Sequence, residues 1–310
     1  MDTTLILIIA VVASGIRGAT PLLLAATGGL YSERGGVVNI ALEGIMLFGA
    51  LTAAVVTNLI ERPYLAQDPT AAIWWAPWVG MLAAIAAGGL IGALHALVSV
   101  TYKADQIVSG TAINLLALGV PAVVTNTLYG NTANTDIVRN TLPRYFAGVL
   151  DLSAPVFIAF LMVPVTVFVI NRTRFGLRLR AVGENPEAAD TLGVRVERMR
   201  YSGVIISGML AGLGGCFLSI GAGNQFVRGM TASRGFIALA ALIFGKWRPV
   251  PVMGAALLFG FAQSLVTVQL FVFPPSLLEA LPFVLTMLVL AGFIGRAIPP
   301  KAIGRPYEKE

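Results

Sequence analysis

The sequence predicts an all-α fold: a polytopic transmembrane helix bundle of about eight to ten spans, with one short helix in a cytoplasmic loop. Three observations predict it. Hydrophobic residues make up 57% of the 310 residues and charged residues 12%, with a mean hydropathy of +0.84; a soluble domain carries about 25% charged residues. Nine stretches are apolar over a length suited to the hydrocarbon core, which takes about 20 residues of helix. Lys and Arg are distributed unevenly between alternate loops, as the positive-inside rule requires.

The nine candidate spans are 5–24, 37–60, 78–101, 106–127, 154–171, 201–222, 232–246, 250–273 and 277–295. The first contains Arg17 and Pro21, and the seventh is short with Arg234 near its start. Both read as broken or re-entrant elements, which persist at membrane depth only when buried in protein or lining a wet cavity. Residues 1–20 carry Asp2 and no basic residue before Arg17, unlike a cleaved signal, and read as the start of the first span. Placing the loop 172–200 in the cytoplasm and alternating sides puts fifteen Lys and Arg inside and five outside. The inside set is Arg34, Lys103, seven arginines of 172–200, Lys246, Arg248, Arg296, Lys301, Arg305 and Lys309; the outside set is Arg62, Arg139, Arg144, Arg228 and Arg234. The C-terminus then lies in the cytoplasm and the N-terminus outside. Trp74, Trp75 and Trp78 mark an outer interface, where amphipathic rings are favoured. Residues 1–310 form one transmembrane domain, and small-x-x-x-small pairs such as Gly88 with Gly92 and Gly208 with Gly212 allow close helix packing.

The net charge of +6 sits in loops rather than in a basic stripe interleaved with aromatics, so nucleic acid is not expected as a partner. Cys216 and His95 are single, which excludes an internal disulfide and a Cys/His metal site. His95 lies on a Gly/Ala-rich helix and reads as a packing histidine. No Gly-x4-Gly-Lys-Ser/Thr loop occurs, so the chain is not expected to bind or hydrolyse ATP; no Gly-x-Ser-x-Gly or His-Glu-x-x-His motif makes it a hydrolase.

Residues 171–200 form a long loop with seven arginines and four acids. Asn185 suits an N-cap, Pro186 the first helical position, Glu187 the positive end of the helix dipole, and Gly193 the C-terminal stop. These signals predict a helix Pro186 to Leu192, with Ala188, Ala189 and Leu192 on one face. A helix this short is marginal alone. It packs either on its own bundle or on a cytoplasmic partner that accepts an Ala-rich knob.

Polar groups inside spans are costly and mark candidate functional positions. Asn39 and Glu43 have i, i+4 spacing, which puts them on one helix face, where they line a solute path or clamp a neighbouring helix. Gln106, Ser109, Thr111 and Asn114 form a second set, open to the same two readings. Glu33 and Arg34 read as a local ion pair at the cytoplasmic mouth. Arg17 either snorkels or pairs with Glu43.

Five blocks carry a family resemblance. Gly176-Leu-Arg-Leu-Arg-Ala-Val-Gly-Glu-Asn-Pro-Glu-Ala-Ala-Asp190, followed by Gly193-Val194, resembles the coupling-helix signature of permeases of the branched-chain amino acid/ribose/nucleoside importer superfamily. Ser207-Gly-Met-Leu-Ala-Gly-Leu-Gly-Gly215 resembles the helix that follows it there. The blocks Pro21 to Met46, Gln106 to Asn114 and Arg234 to Trp247 fit as well. Ser32 to Gly44 is similar to the nucleoside branch and lacks the acidic-Leu-Ser pattern of the sugar-transporting relatives. The resemblance spans residues 15–295.

It implies an ATP-binding-cassette importer permease in a prokaryotic cell membrane, translocating a small polar solute, nucleosides first, by alternating access. Gly183, Glu184, Asn185, Pro186, Glu187, Ala188, Ala189, Leu192 and Gly193 would couple it to a separate ATPase subunit that binds ATP and magnesium, leaving this chain without a cofactor. The other implied partners are a second, related but non-identical permease and an extracytoplasmic solute-binding protein, all organised around the bilayer. A ribose-type sugar or branched-chain amino acid permease, and a secondary transporter, are the alternatives.

Overall fold

The computed structural model describes residues 3–146, 150–267, 284 and 297–308. Among them, six helices are long and apolar enough to cross a membrane, and two further apolar helices are shorter. The chain is an all-α polytopic membrane bundle.

The first helix, α1 (Thr3–Arg34), runs unbroken through Pro21 and ten residues past the expected end of the first span. It is not a broken element: the freed backbone groups lie in a fully buried stretch around Leu22 to Ala26 where neighbouring helices enclose it. The chain then leaves helical geometry at Gly35–Ala41 before α2 (Leu42–Gln67). Next come α3 (Ala76–Ala96), which ends in a π-helical turn at Leu97–Thr101, and α4 (Gln106–Tyr129). Asp105 caps α4 by accepting from the backbone N–H groups of Ile107 and Val108 at 2.8 and 3.0 Å. A two-residue antiparallel hairpin, β1 (Arg144–Tyr145) with β2 (Leu152–Ser153), leads into α5 (Ala154–Arg172).

The loop expected at 172–200 is mostly helical. It holds α6 (Arg174–Glu184) and α7 (Pro186–Thr191), and α8 (Val196–Cys216) begins five residues before the expected span, ending in a second π-helical turn at Phe217–Ala222. The period-3.6 burial of Gly176, Leu179, Val182 and Gly183 explains α6; Arg174 and Arg178 are exposed and Arg180 is half-buried. The short helix α9 (Arg234–Phe244) spans about 16 Å at 1.5 Å per residue, half of a ~30 Å hydrocarbon core. Residues 223–233, which are turns from 228 onward, lead into α9. The last described helix is α10 (Pro249–Thr267). The ninth expected span, 277–295, and the end of the eighth lie outside the described residues.

At the centre stands α8, packed on α1, α2 and α3. The two glycine pairs read from the sequence meet there. A Cβ on Gly88 would strike the Gly208 carbonyl and Gly212 backbone, and one on Gly92 would meet the Val204 carbonyl and Gly208 backbone. On the other side of α8, a Cβ on Gly215 would collide with the Met46 carbonyl and one on Gly49 with Gly212. Backbone-to-backbone contact replaces side-chain packing, which is how helices gain dispersion contact where lipid gives no hydrophobic drive.

Loops expected on the same side lie at the same end. At one end, Arg34 donates to the Trp247 carbonyl, Ala302 N–H to Gly183 O at 2.9 Å, and Lys103 pairs with Glu308 at 3.0 Å. At the other, Arg62 pairs with Asp136 at 3.0 Å, Arg144 donates to the Ala222 carbonyl, and the 134–142 loop runs beside 220–227. The first is called the basic end below.

Cys216, 0% exposed on α8, supplies a stability readout. Gly208→Leu should force α3 from α8, since overpacking a tight contact costs ~1–3 kcal/mol or more. A thiol-reactive dye should then label Cys216 at a clearly lower melting temperature than in the wild type in detergent, whereas Gly254→Leu, at a glycine with open space around its Cβ position, should leave that temperature unchanged.

Candidate functional site

Seven residues of non-helical backbone, Gly35–Ala41, sit between two transmembrane helices, and their polar groups need partners inside the bundle. Gly36, at φ +88°, lets the chain turn out of α1, and Ser32 Oγ donates to Val37 O at 2.7 Å. Gln106 Oε1 accepts from Val38 N–H at 2.7 Å. The His95 ring bridges Val38 O (Nε2, 3.0 Å) and Ser109 Oγ (Nδ1, 2.9 Å). Asn114 spans the start of α2: its Nδ2 donates to Ile40 O at 3.0 Å and its Oδ1 accepts from Gly44 N–H at 2.8 Å. Asn39 Nδ2 donates to Ser207 Oγ on α8 at 2.8 Å.

The side chains expected along a solute path therefore hold the chain together. Asn39 lies ahead of α2 rather than one helical turn before Glu43, so the two do not share a helix face. Gln106, Ser109 and Asn114 face the interruption, and Ser109 and Gln106 are buried. Thr111 is on the other side of α4, exposed, its hydroxyl returned to Ile107 O at 2.8 Å. His95 is the histidine that packs, and nothing local in the sequence marks it as bracing the interruption.

Glu43 takes the clamping geometry. Its Oε1 accepts from Thr231 Oγ1 at 2.6 Å and Ser233 N–H at 2.9 Å, and its Oε2 accepts from Gly235 N–H at 2.6 Å. The carboxylate thus caps the N-terminus of α9 from a different helix, satisfying orphan N–H groups and opposing the positive end of the dipole. Ser233, at φ +62°, cannot cap its own helix, and no side-chain cap is present. The close fit explains Gly235, where a Cβ would overlap the Glu43 backbone and Cβ.

At the basic end, Glu33 and Arg34 do not pair with each other. Glu33 accepts from Trp247 Nε1 at 2.5 Å, and Arg34 donates through Nε and Nη2 to Trp247 O at 3.0 and 2.7 Å. Successive helical residues point about 100° apart, so each finds its own group on Trp247. Arg17 does not meet Glu43; it donates to Leu150 O at 2.8 Å. Glu61, which no sequence signal singles out, is fully buried and accepts from Arg139 N–H at 3.0 Å and Asn140 N–H at 2.8 Å. Its position at a span end beside Arg62 concealed it, since such acids are normally solvated.

The short helix α7 is capped as expected. Asn185 Oδ1 accepts from Ala188 N–H at 3.0 Å. Gly193, at φ +79°, closes a Schellman motif in which Gly193 N–H meets Asp190 O at 2.8 Å and Val194 N–H meets Ala189 O at 3.0 Å. The helix ends at Thr191, so Leu192 is its cap. Its expected single face is split. Ala189 is 3% exposed, packed with Val182 and Val196, while Ala188 is exposed and Leu192 is 85% exposed. Pro186 is half-buried, and Glu184 and Glu187 are exposed. Gly183 is buried at the junction of α6, the end of α1 and the C-terminal segment; a Cβ there would strike Arg34 O.

A cavity of about 410 Å³ opens between α1, α9, α10, the π-helical end of α8 and the β1–β2 hairpin. Arg17, Arg144, Asp151 and Arg234 line it. None of the residues expected on a path does so.

A family model described as branched-chain amino acid transport system / permease component matches residues 11–290. The chain is 44% identical to the guanosine ABC transporter permease protein NupQ of Bacillus subtilis, over 100% of this chain and 99% of that one. It is 39% identical to the nucleoside ABC transporter permease protein NupC of Lactococcus lactis, over 96% of each. A more distant relative is the guanosine ABC transporter permease protein NupP of Bacillus subtilis, 27% identical over 79% of this chain and 70% of that one. No solved structure matches.

Glu43→Ala should leave three donors at the head of α9 without their acceptor. Since a hydrogen bond to a charged group contributes ~1.5–3 kcal/mol, the dye-labelling temperature of Cys216 should fall, whereas Thr111→Val should leave it unchanged; equal temperatures for Glu43→Ala and the wild type would refute the cap.

Proposed function

This chain belongs to the branched-chain amino acid transport permease family, and from that premise we propose that it is the membrane-spanning permease of an ATP-binding-cassette importer for nucleosides, working by alternating access. The observation that carries the nucleoside reading is full-length similarity, at 44% and 39% identity, to permeases named for guanosine and nucleosides.

The chain is a transport component, and its fuel is spent elsewhere. The proposed coupling element is α7 with its flanks, Gly183 to Gly193. Its exposed residues, Glu184, Glu187, Ala188 and Leu192, are the surface offered to a separate ATPase subunit that binds ATP and magnesium. Ala189, Gly183 and the Asn185 cap hold that surface to the bundle. A knob of one and a half turns that is rigid on its inner side can transmit a push without bending. In this reading the basic end faces the cytoplasm, which agrees with the fifteen-to-five distribution of Lys and Arg.

A second permease completes the pathway in this proposal. Bacillus subtilis NupQ and NupP are both named as guanosine permeases, which supports a pair of related, non-identical chains. The exposed apolar face of α4, including Leu115, Leu116 and Val123, is available to lipid or to such a partner. An extracytoplasmic solute-binding protein would deliver the solute to the end opposite the basic one.

Ala188→Trp should abolish ATP-dependent uptake while the protein still inserts and keeps its Cys216 labelling temperature, because the Ala188 side chain is exposed. Ala189→Trp should lower uptake and stability together. Normal uptake by Ala188→Trp would remove the coupling role. Competition of labelled guanosine uptake by adenosine, ribose and leucine, with the binding protein present, tests the solute: only nucleosides should compete.

A further inference from the structure

Residues 297–308 lie along the basic end as a turn, 301–304, between two irregular stretches. Backbone groups hold the turn down. Ala302 N–H donates to Gly183 O at 2.9 Å, and Gly304 N–H donates to Gly36 O at 3.2 Å. Further along, Arg200 Nη1 of α8 donates to Arg305 O at 2.9 Å, and Glu308 pairs with Lys103 at 3.0 Å. The segment therefore joins the α6–α7 junction, the helix interruption after α1 and the first turns of α8.

Tyr307 adds a contact to α7 itself. Its ring packs on the apolar cluster of Val182, Ala189 and Val196, and its hydroxyl donates to the Asp190 carboxylate. Ala189 is the only buried residue of α7, and a helix of six residues is marginal without such support. A cleft of about 200 Å³, lined by Asp190, Val196 and Tyr307 among others, lies beside α7, so on that side Tyr307 is what α7 rests on. The other side-chain attachments of the segment are weak. The Lys103–Glu308 pair is exposed and contributes little. Arg200 is buried with Nε and Nη2 unpartnered, and no carboxylate among the described residues pairs with it. A buried guanidinium left unpaired is costly, which weakens the seat that α8 offers.

We propose that Tyr307 is a positioning residue for coupling: it fastens α7 to residues 302–308, and these carry a displacement of α7 to Gly36 in the helix interruption. The proposal rests on the reading of α7 as the coupling element. Tyr307 and Gly304 are three residues apart, about 10 Å of extended chain. Hydrogen bonds hold both ends, so the stretch has little slack in which to lose a shift. The direction of force matters as well. The contact of Gly183 with the end of α1 is steric and transmits a push. A hydrogen-bonded strap also transmits a pull, which the return stroke of alternating access requires. The interruption sets where α2 begins, so motion delivered at Gly36 reaches Glu43 and the helix it caps.

The test uses the assembled transporter, with its ATPase, second permease and binding protein, in proteoliposomes, and reads guanosine carried per ATP hydrolysed. Tyr307→Ala should lower that ratio about tenfold, the factor that loss of a hydrogen bond to a charged group sets on an equilibrium. The ATPase should stay bound and Cys216 should keep its labelling temperature. Tyr307→Phe keeps the ring on the apolar cluster and should retain part of the ratio. Asp190→Cys with Tyr307→Cys should be uncoupled like Tyr307→Ala, and joining the two thiols with a short bis-maleimide should restore the ratio; native Cys216 is buried out of reach. A residue that only stabilised the fold would lower uptake, hydrolysis and labelling temperature together. A nitroxide on Pro306→Cys, an exposed position, reads the attachment directly: it should be immobile with Tyr307 present and mobile with Tyr307→Ala. A label equally immobile in both, a wild-type ratio in Tyr307→Ala, or no recovery after complete cross-linking would overturn the proposal. Ala188→Trp separates the two readings. If it transports normally, α7 is not the coupling element and the strap has nothing to transmit; if it is blocked while Tyr307→Ala keeps the wild-type ratio, the strap falls and the coupling role of α7 stands.

Discussion

An interruption of helix inside a membrane bundle must find a partner for every backbone group it frees, and the seven residues Gly35–Ala41 impose that demand on everything around them. The hydrocarbon core offers no water to satisfy an exposed N–H or C=O. Ser32, His95, Gln106 and Asn114 answer it directly, and Asn39 ties the segment to α8. Three helices are thereby fixed by polar contacts to one short stretch. Their apolar surfaces could slide, but the hydrogen bonds set a register.

The same interruption gives α2 its starting depth, and with it the position of Glu43. That carboxylate caps α9 within the bundle and allows a helix of only 11 residues to persist there. An 11-residue helix with an uncapped, buried N-terminus would leave unsatisfied donors in a medium where each costs several kcal/mol. The half-helix in turn places Arg234 at the edge of a polar cavity. A structural acid therefore fixes a basic residue, Arg234, at the head of a helix too short to span.

At the basic end, the tip of α1, the α6–α7 segment, the residues after α9 and the C-terminal segment form one connected unit. Gly36 O accepts from Gly304 N–H at 3.2 Å and Gly183 O accepts from Ala302 N–H at 2.9 Å. Arg200, 1% exposed, donates to Arg305 O at 2.9 Å. Arg34 and Glu33 hold Trp247. Displacement of α7 cannot stay local in such an arrangement, because Gly183 lies within a methyl group's reach of the end of α1. Since α1 also walls the cavity, one helix joins the proposed coupling surface to that space.

The sequence by itself determined the fold class, the presence of the six long apolar helices and the short capped helix. Those features arise from local chemistry: apolar runs long enough for a bilayer, an Asn-Pro-Glu start, a glycine that permits positive φ, and charges that mark the loop ends. It also marked the glycine pairs, because spacing alone places Gly88 with Gly92 and Gly208 with Gly212. Only the tertiary structure decided what the buried polar groups do. Asn39, Glu43, Gln106 and Asn114 look like a solute path in one dimension, since polar residues in spans need a partner and the sequence does not name it. Their partners are 68 to 192 residues away, in a non-helical segment, on α8 and at the head of a half-helix, and nothing local announces those meetings. The cavity was hidden for the same reason. Its wall gathers Arg17, Arg144 and Arg234 from three distant elements, and one-dimensional spacing cannot report a space that exists only between helices.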